Sequence, residues 1–123
     1  MLKKILYFAI VISLSTSCSF GDPLSGAQSL ARSGKYEEAI NLLEKELNEK
    51  PDSVPVKSIL AQTYSDYGLA LCQDPDKPPK IKYNRAREQF SMALALNPYL
   101  TDAKDMLEMI EKIQAHINES MIN

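Results

Sequence analysis

The feature that most constrains the fold is a segment that occurs twice, 47 residues apart. Residues 36–51 and 83–98 carry apolar or small side chains three or four positions apart, which places them on one face of a helix. Each segment ends at a proline, which stops a helix because it has no N–H to donate and its ring clashes with the preceding turn. The matched pairs are Tyr36/Tyr83, Ala39/Ala86, Leu43/Phe90, Leu47/Leu94 and Pro51/Pro98. The sequence therefore predicts two similar amphipathic helices in a stack of helical units.

A further helix is predicted before each copy. Asp22 and Pro23 are a typical N-cap and first helical residue, and Gly34 is typical of a helix end. Ser53 (or Asp52) is expected to cap the helix before the second copy. The proline-rich stretch 74–80 is predicted to be the loop between that helix and the second copy.

A last amphipathic segment begins near Thr101, a plausible cap. Its apolar residues recur at helical spacing and include Ala103, Met106, Leu107, Ile110, Ile113 and Ile117. Stacked units leave an apolar end exposed, so this helix is expected to cover that end.

The residues around the first copy resemble a known family. Residues 34–40, followed by Leu43, Leu47 and Pro51, resemble the second helix of a tetratricopeptide repeat. Leu60, Ala61, Tyr64 and Gly68 match the first-helix pattern of the same family, with Lys57 where that pattern has Trp.

The resemblance implies an all-α fold. It would be a short α-solenoid of two helix pairs plus a C-terminal capping helix, spanning residues 23–118, with residues 119–123 as a tail. The spacing of 47 exceeds the family repeat of 34 by 13 residues, which lie between the two helices of the second unit. A period of this length would also suit HEAT or armadillo-type repeats, but the ordinary length of the first unit favours the tetratricopeptide interpretation.

The first residues have the pattern of an export signal. Lys3 and Lys4 precede an apolar run over residues 5–14, and small residues follow it up to Cys18. The apolar run is about half of the roughly 20 residues that a membrane-spanning helix needs.

The position of the cysteine resembles a bacterial lipoprotein signal, although Ser15 stands where that signal usually has Leu. The resemblance implies removal of residues 1–17, a covalent lipid such as palmitate on Cys18, and a short anchor linker over residues 18–22. By resemblance to lipoprotein sorting in enterobacteria, Ser19 rather than Asp after the cysteine favours the periplasmic face of the outer membrane over retention in the inner membrane. The alternative is ordinary secretion with an incidental cysteine.

Composition argues against several functions. The formal net charge of −2, which becomes more negative if Lys3 and Lys4 are removed, argues against nucleic-acid binding. His116 is the only histidine, so a His-based triad or a multi-His metal site is excluded. Cys72 is expected to be a free thiol near a helix end. We expect no enzyme activity, no metal and no cofactor other than the lipid.

Two sets of residues are candidates for recognition. By the family resemblance, a groove on the first helices would be lined by Gln28, Arg32, Ser58, Gln62, Ser65, Asp105 and Met109. Ser58 and Gln62 stand where some tetratricopeptide domains have the Lys and Asn that clamp a terminal carboxylate, so a chaperone-tail clamp is not expected. The alternative for this set is a groove that is merely solvated.

The second set is a predicted basic loop: Lys77, Lys80, Lys82, Arg85 and Arg87. It would meet an acidic partner or anionic lipid headgroups, to which each basic group adds about 1 kcal/mol. The alternative is that these residues only keep the tip of a helical hairpin soluble.

The sequence thus predicts a lipid-anchored adaptor or scaffold that binds an envelope protein or peptide. A stack this small is compatible with homo-oligomerisation, since about three units are needed for a solenoid to support itself. The alternative is a small secreted or surface-exposed helical protein, structural or host-facing, without a groove-binding role.

Overall fold

The computed structural model describes residues 21–123, which contain five α-helices and no strand. The predicted all-α class is therefore confirmed. The predicted signal peptide, Cys18 and most of the linker lie outside the described residues. The helices are α1 (Pro23–Arg32), α2 (Tyr36–Glu49), α3 (Val54–Cys72), α4 (Pro79–Leu96) and α5 (Thr101–Ile122).

The first helix begins and ends as its sequence predicts. Asp22 Oδ1 accepts a hydrogen bond from the backbone N–H of Leu24 at 3.3 Å, and Pro23 is the first helical residue. Gly34 has a φ of 79°, which a residue with a side chain rarely adopts. The Lys35 N–H then donates to the Leu30 carbonyl at 2.9 Å, and α2 starts one residue later. A connection this short makes α1 and α2 antiparallel neighbours.

The two copies of the repeated segment end in the same way. The N–H of Lys50 donates to the Glu46 carbonyl after α2, and the N–H of Asn97 donates to the Ala93 carbonyl after α4, both at 2.9 Å. A proline follows each cap residue. The helices that come next, α3 and α5, also begin 47 residues apart. The repeat therefore includes the start of the following helix.

The N-termini of α3 and α5 differ in their capping residues. Ser53 Oγ accepts from the Val56 N–H at 3.4 Å, which confirms the predicted cap of α3. Thr101 is not a cap: it is the first residue of α5, and Leu100, which has no side-chain acceptor, occupies the cap position. Despite this difference, the backbones of Ser53 and Leu100 are alike, with φ/ψ of −68°/107° and −72°/91°.

Two predicted boundaries are wrong. The loop after α3 comprises residues 73–78, because α4 already begins at Pro79. Proline is tolerated at the first helical position, where its missing N–H would have no intrahelical partner. At the other end, α5 continues to Ile122, past residue 118, because no Gly or Pro interrupts the last turns.

The helices pack mainly on their neighbours in the chain. Each contacts the next one, and α3 also contacts α1 and α5, so α3 touches all four others. Within residues 21–123 the backbones of α2 and α4 do not approach each other closely, and the ion pair of Glu37 and Arg85 links the two helices through their side chains. The structure is therefore a stack in which α3 is central.

The repeated stripes form the core. Ala39 and Ala86 are completely buried, and so are Leu43 and Phe90. The tightest approach is between α3 and α4, where a Cβ added at Gly68 would lie 2.9 Å from Cζ of Phe90. Other completely buried residues are Ala27, Ala61, Ala93, Ala103 and Ile110. In the part of the chain described, none of the helices has the length and apolar character needed to cross a membrane.

Candidate functional site

An open cavity of about 470 Å³ lies between α1 and α3. Four of the seven predicted groove residues line it: Gln28, Arg32, Ser58 and Gln62. The other lining residues are Ala31, Tyr36, Ile59, Thr63 and Asp66. The cavity is therefore a groove with polar walls and a partly apolar floor, which we call the α1–α3 groove.

Helical spacing explains which residues meet there. Gln28 and Arg32 are four apart on α1, and Ser58, Gln62 and Asp66 are four apart on α3, so each set lies on one face. Gln62 Nε2 donates to Asp66 Oδ1 at 2.9 Å. Asp66 was missed by the sequence interpretation, although its position four residues after Gln62 indicates the same face.

The buried hydroxyl group in the floor of the groove already has a hydrogen-bond partner. Thr63 is 3% exposed, and its hydroxyl donates to the Ile59 carbonyl at 2.7 Å. The floor therefore offers shape rather than hydrogen bonds to a ligand. Polar recognition would come from the exposed side chains of the walls.

Three predicted groove residues lie elsewhere. Ser65 is only 7% exposed and does not line the cavity. Successive residues of a helix are rotated by about 100°, so Ile59 and Thr63 lie on one side of the stripe formed by Ser58 and Gln62. Ser65 lies on the opposite side of that stripe. Asp105 and Met109 are exposed on α5, which makes no contact with α1. The groove is thus narrower than predicted and involves only the first two of the three helices.

The predicted basic loop is wrong as a structural unit. Only Lys77 lies in the loop, and the other four basic residues are on α4. Lys82 Nζ stands 5.4 Å from the ring centre of Tyr83. Arg85 Nη2 donates to the Tyr67 hydroxyl at 3.1 Å and lies 3.8 Å from Glu37 Oε1. The remaining two, Lys80 and Arg87, line a separate cavity between α4 and α5.

A polar network joins α2, α3 and α4, and the sequence interpretation did not foresee it. The Tyr67 hydroxyl donates to Glu37 Oε1 at 2.7 Å, and the Tyr67 ring stacks on Tyr36 with centres 5.4 Å apart. The Tyr64 hydroxyl donates to Glu44 Oε1. Burial, followed by the hydrogen bond to the carboxylate, raises the pKa of both tyrosines above the ordinary value. Both tyrosines therefore stay protonated well into the alkaline range.

Other reactive groups are isolated. Burial raises the pKa of the partly buried, free Cys72 thiol, which leaves it a poor nucleophile at neutral pH. His116 is exposed on α5. Among residues 21–123, no three His, Cys, Asp or Glu side chains come together in a way that could hold a metal ion.

Comparison of the chain with known protein families, curated proteins and solved structures gave no match.

Proposed function

We propose that the protein is a lipid-anchored adaptor of the bacterial cell envelope whose α1–α3 groove binds a segment of another protein. The observation that carries this proposal is the groove itself, an open cavity with exposed polar walls over a partly apolar floor. Arg32 lines it and makes no ion pair with any residue between 21 and 123. An unpaired guanidinium beside amide groups is suited to a peptide carbonyl or an acidic side chain.

The packing order supports a short tetratricopeptide-like solenoid as the scaffold. The pairs α1/α2 and α3/α4 pack on each other through α3, and α1, α3 and α5 are in sequential contact. In such stacks the first helices create an extended surface for peptides. The α1–α3 groove lies on that surface, and the polar side chains of Gln28, Arg32, Ser58 and Gln62 converge on it.

The proposed anchor depends on the sequence pattern. A basic start, a short apolar run and small residues before Cys18 are typical of a lipoprotein signal. Acyl chains on Cys18 would hold the helices at a membrane, since each buried methylene contributes about 0.8 kcal/mol. We place the protein on the periplasmic face of the outer membrane, where the groove would recruit an envelope protein.

Site-specific photocrosslinking in cells tests the groove. A photoreactive amino acid at Ser58, in the groove, is expected to give a discrete adduct with one partner. The same amino acid at Glu49, exposed at the end of α2, is the matched control and should not. Combining the Ser58 probe with Arg32→Ala and Gln62→Ala should remove the adduct, whereas Lys45→Ala should keep it. Equal adducts from both probe positions, or none from Ser58, would overturn the groove function.

Metabolic labelling with palmitate tests the anchor separately. Cys18→Ala should lose the label, and Cys72→Ala, which removes the chain's other cysteine, should keep it. Label retained in Cys18→Ala contradicts the anchor. A specific groove adduct without any label would instead identify a secreted binding protein, and label without an adduct would identify an anchored protein without a groove-binding role.

A further inference from the structure

A second cavity, of about 200 Å³, lies between α4 and α5. It shares no residue with the α1–α3 groove. We propose that it is a binding site for a phosphate group, either free or in the headgroup of an anionic lipid. The lining residues are Lys80, Asn84, Arg87, Gln114, Ile117 and Asn118.

The register of the two helices brings these side chains together. Lys80, Asn84 and Arg87 are four and three residues apart and share one face of α4, while the lining residues of α5 share one face in the same way. Gln114 Nε2 donates to Asn84 Oδ1 at 2.6 Å, which ties the two faces to each other. This bond uses the acceptor oxygen of Asn84 and leaves its NH₂ group to donate to a ligand.

The charges in the cavity are all of one sign. No Asp or Glu lines it. Neither Lys80 nor Arg87 has a carboxylate within 4.0 Å among residues 21–123, although Arg85 on the same helix does. Lysine and arginine are the cationic side chains that commonly bind phosphate oxygens, lysine as a point charge and arginine through its planar fork.

The position of Lys80 at the start of α4 slightly disfavours its positive charge, and a bound anion would offset this. Lys80 lies in the first turn of α4, where the helix dipole is positive, and that turn contains no acidic residue and no side-chain cap. A phosphate between Lys80 and Arg87 would relieve this repulsion and would also receive the amide groups of Asn84 and Asn118. The cavity has room for several waters of about 30 Å³ each. Ile117 supplies one apolar wall, which suits the organic part of a phosphate ester.

Titration of the full-length protein with inorganic phosphate at constant ionic strength, followed by NMR, tests the site. The variant K80Q/R87Q removes both cavity cations, and K77Q/K82Q removes the same charge from neighbouring positions. We expect phosphate affinity to fall at least tenfold in K80Q/R87Q, about 1.4 kcal/mol, and less than twofold in K77Q/K82Q. Asn118→Asp, which adds a carboxylate to the cavity, should also weaken binding tenfold or more.

Sedimentation with vesicles then distinguishes the two sources of phosphate. Stronger binding to phosphatidylglycerol than to phosphatidylcholine vesicles, with loss in K80Q/R87Q alone, would identify a lipid headgroup as the ligand. Phosphate binding without this vesicle preference would identify a free phosphate. Equal losses in the two double variants would show a diffuse basic surface and overturn the proposal, as would no binding to phosphate or vesicles.

Discussion

Gly68 sets the distance between α3 and α4. The position where its Cβ would be is 2.9 to 3.1 Å from three ring atoms of Phe90, closer than real Cβ atoms normally approach. Phe90 is completely buried in the close-packed core, where a shift of its ring would disturb its neighbours. The glycine is therefore required by packing, although its helical backbone would suit any residue.

We expect Gly68→Ala to destabilise the protein by about 1–3 kcal/mol because of overpacking. Gly26→Ala is the matched control in α1, since its added Cβ would meet only Leu42 Cδ2, at 3.7 Å. In α1 the gain in helix propensity should dominate and raise stability by about 0.5–1 kcal/mol. Urea unfolding followed by circular dichroism measures both. A Gly68→Ala variant as stable as Gly26→Ala would contradict the close approach.

Single residues also show how far sequence alone could define the groove. Gln28, Arg32, Ser58 and Gln62 were foreseen because helical spacing and the family resemblance fix their faces. Ser65 lies within 20° of Ser58 around α3, but it is buried, and burial at a stripe edge depends on how neighbouring helices pack. Local periodicity does not contain that information.

The contact between α2 and α3 combines apolar packing with buried hydroxyl groups. Tyr64 is 5% exposed, and its hydroxyl donates to Glu44 across the helix pair. The folded state holds this proton more tightly than the unfolded state, because burial and the hydrogen bond raise the pKa of Tyr64. The resulting stabilisation is fully present below about pH 10, the ordinary tyrosine pKa, and decreases as the pH rises further.

Tyr64→Phe should therefore lower the free energy of unfolding by about 1 kcal/mol at pH 7. Above pH 10, the wild type should lose stability with a slope of at most about 1.4 kcal/mol per pH unit from this residue, and Tyr64→Phe should show a shallower slope. Tyr99→Phe is the control, because the Tyr99 side chain is 89% exposed. Denaturant unfolding at several pH values measures the slopes. Equal slopes in Tyr64→Phe and the wild type would show that Tyr64 is not the source of the stability loss above pH 10.

Elements were easier to predict than their boundaries. The stripes and the prolines at positions 51 and 98 located α2 and α4, since periodicity and helix stops are local properties. The start of α4 at Pro79 was missed because proline both breaks helices and begins them. The hydrogen bonds of Tyr64, Tyr67 and Arg85 link three helices, and a single sequence contains no periodic signal for such contacts.

The molecule as a whole is held together by neighbouring contacts. Because α3 touches all four other helices, whereas α2 and α4 are linked by the exposed ion pair of Glu37 and Arg85, coupling between the two ends of the stack should pass mainly through α3. In such stacks, stability is approximately a sum over units and the interfaces between neighbours. A loss of stability at one end of the stack should therefore affect mainly the helices at that end.

Ile110→Ala tests this expectation by hydrogen exchange. Ile110 is completely buried in α5, so its truncation should cost about 2–5 kcal/mol locally. Exchange should become much faster in α5 and α4 and change less in α1 and α2. Ile122→Ala, at an 84% exposed position, should change little. Uniformly faster exchange in all five helices would indicate a single cooperative unit instead.

The matching backbones at Ser53 and Leu100 have a consequence for how such a chain can lengthen. A duplication of residues 54–100, inserted between Leu100 and Thr101, would place Val54 after an extended residue and Thr101 after another. The one new peptide junction, Leu100–Val54, would thus reproduce a conformation that the protein already has. In-frame duplication of 47 codons should therefore lengthen the protein without straining its backbone, and it would add a second copy of the basic residues of α4. The same duplication can be made by protein engineering.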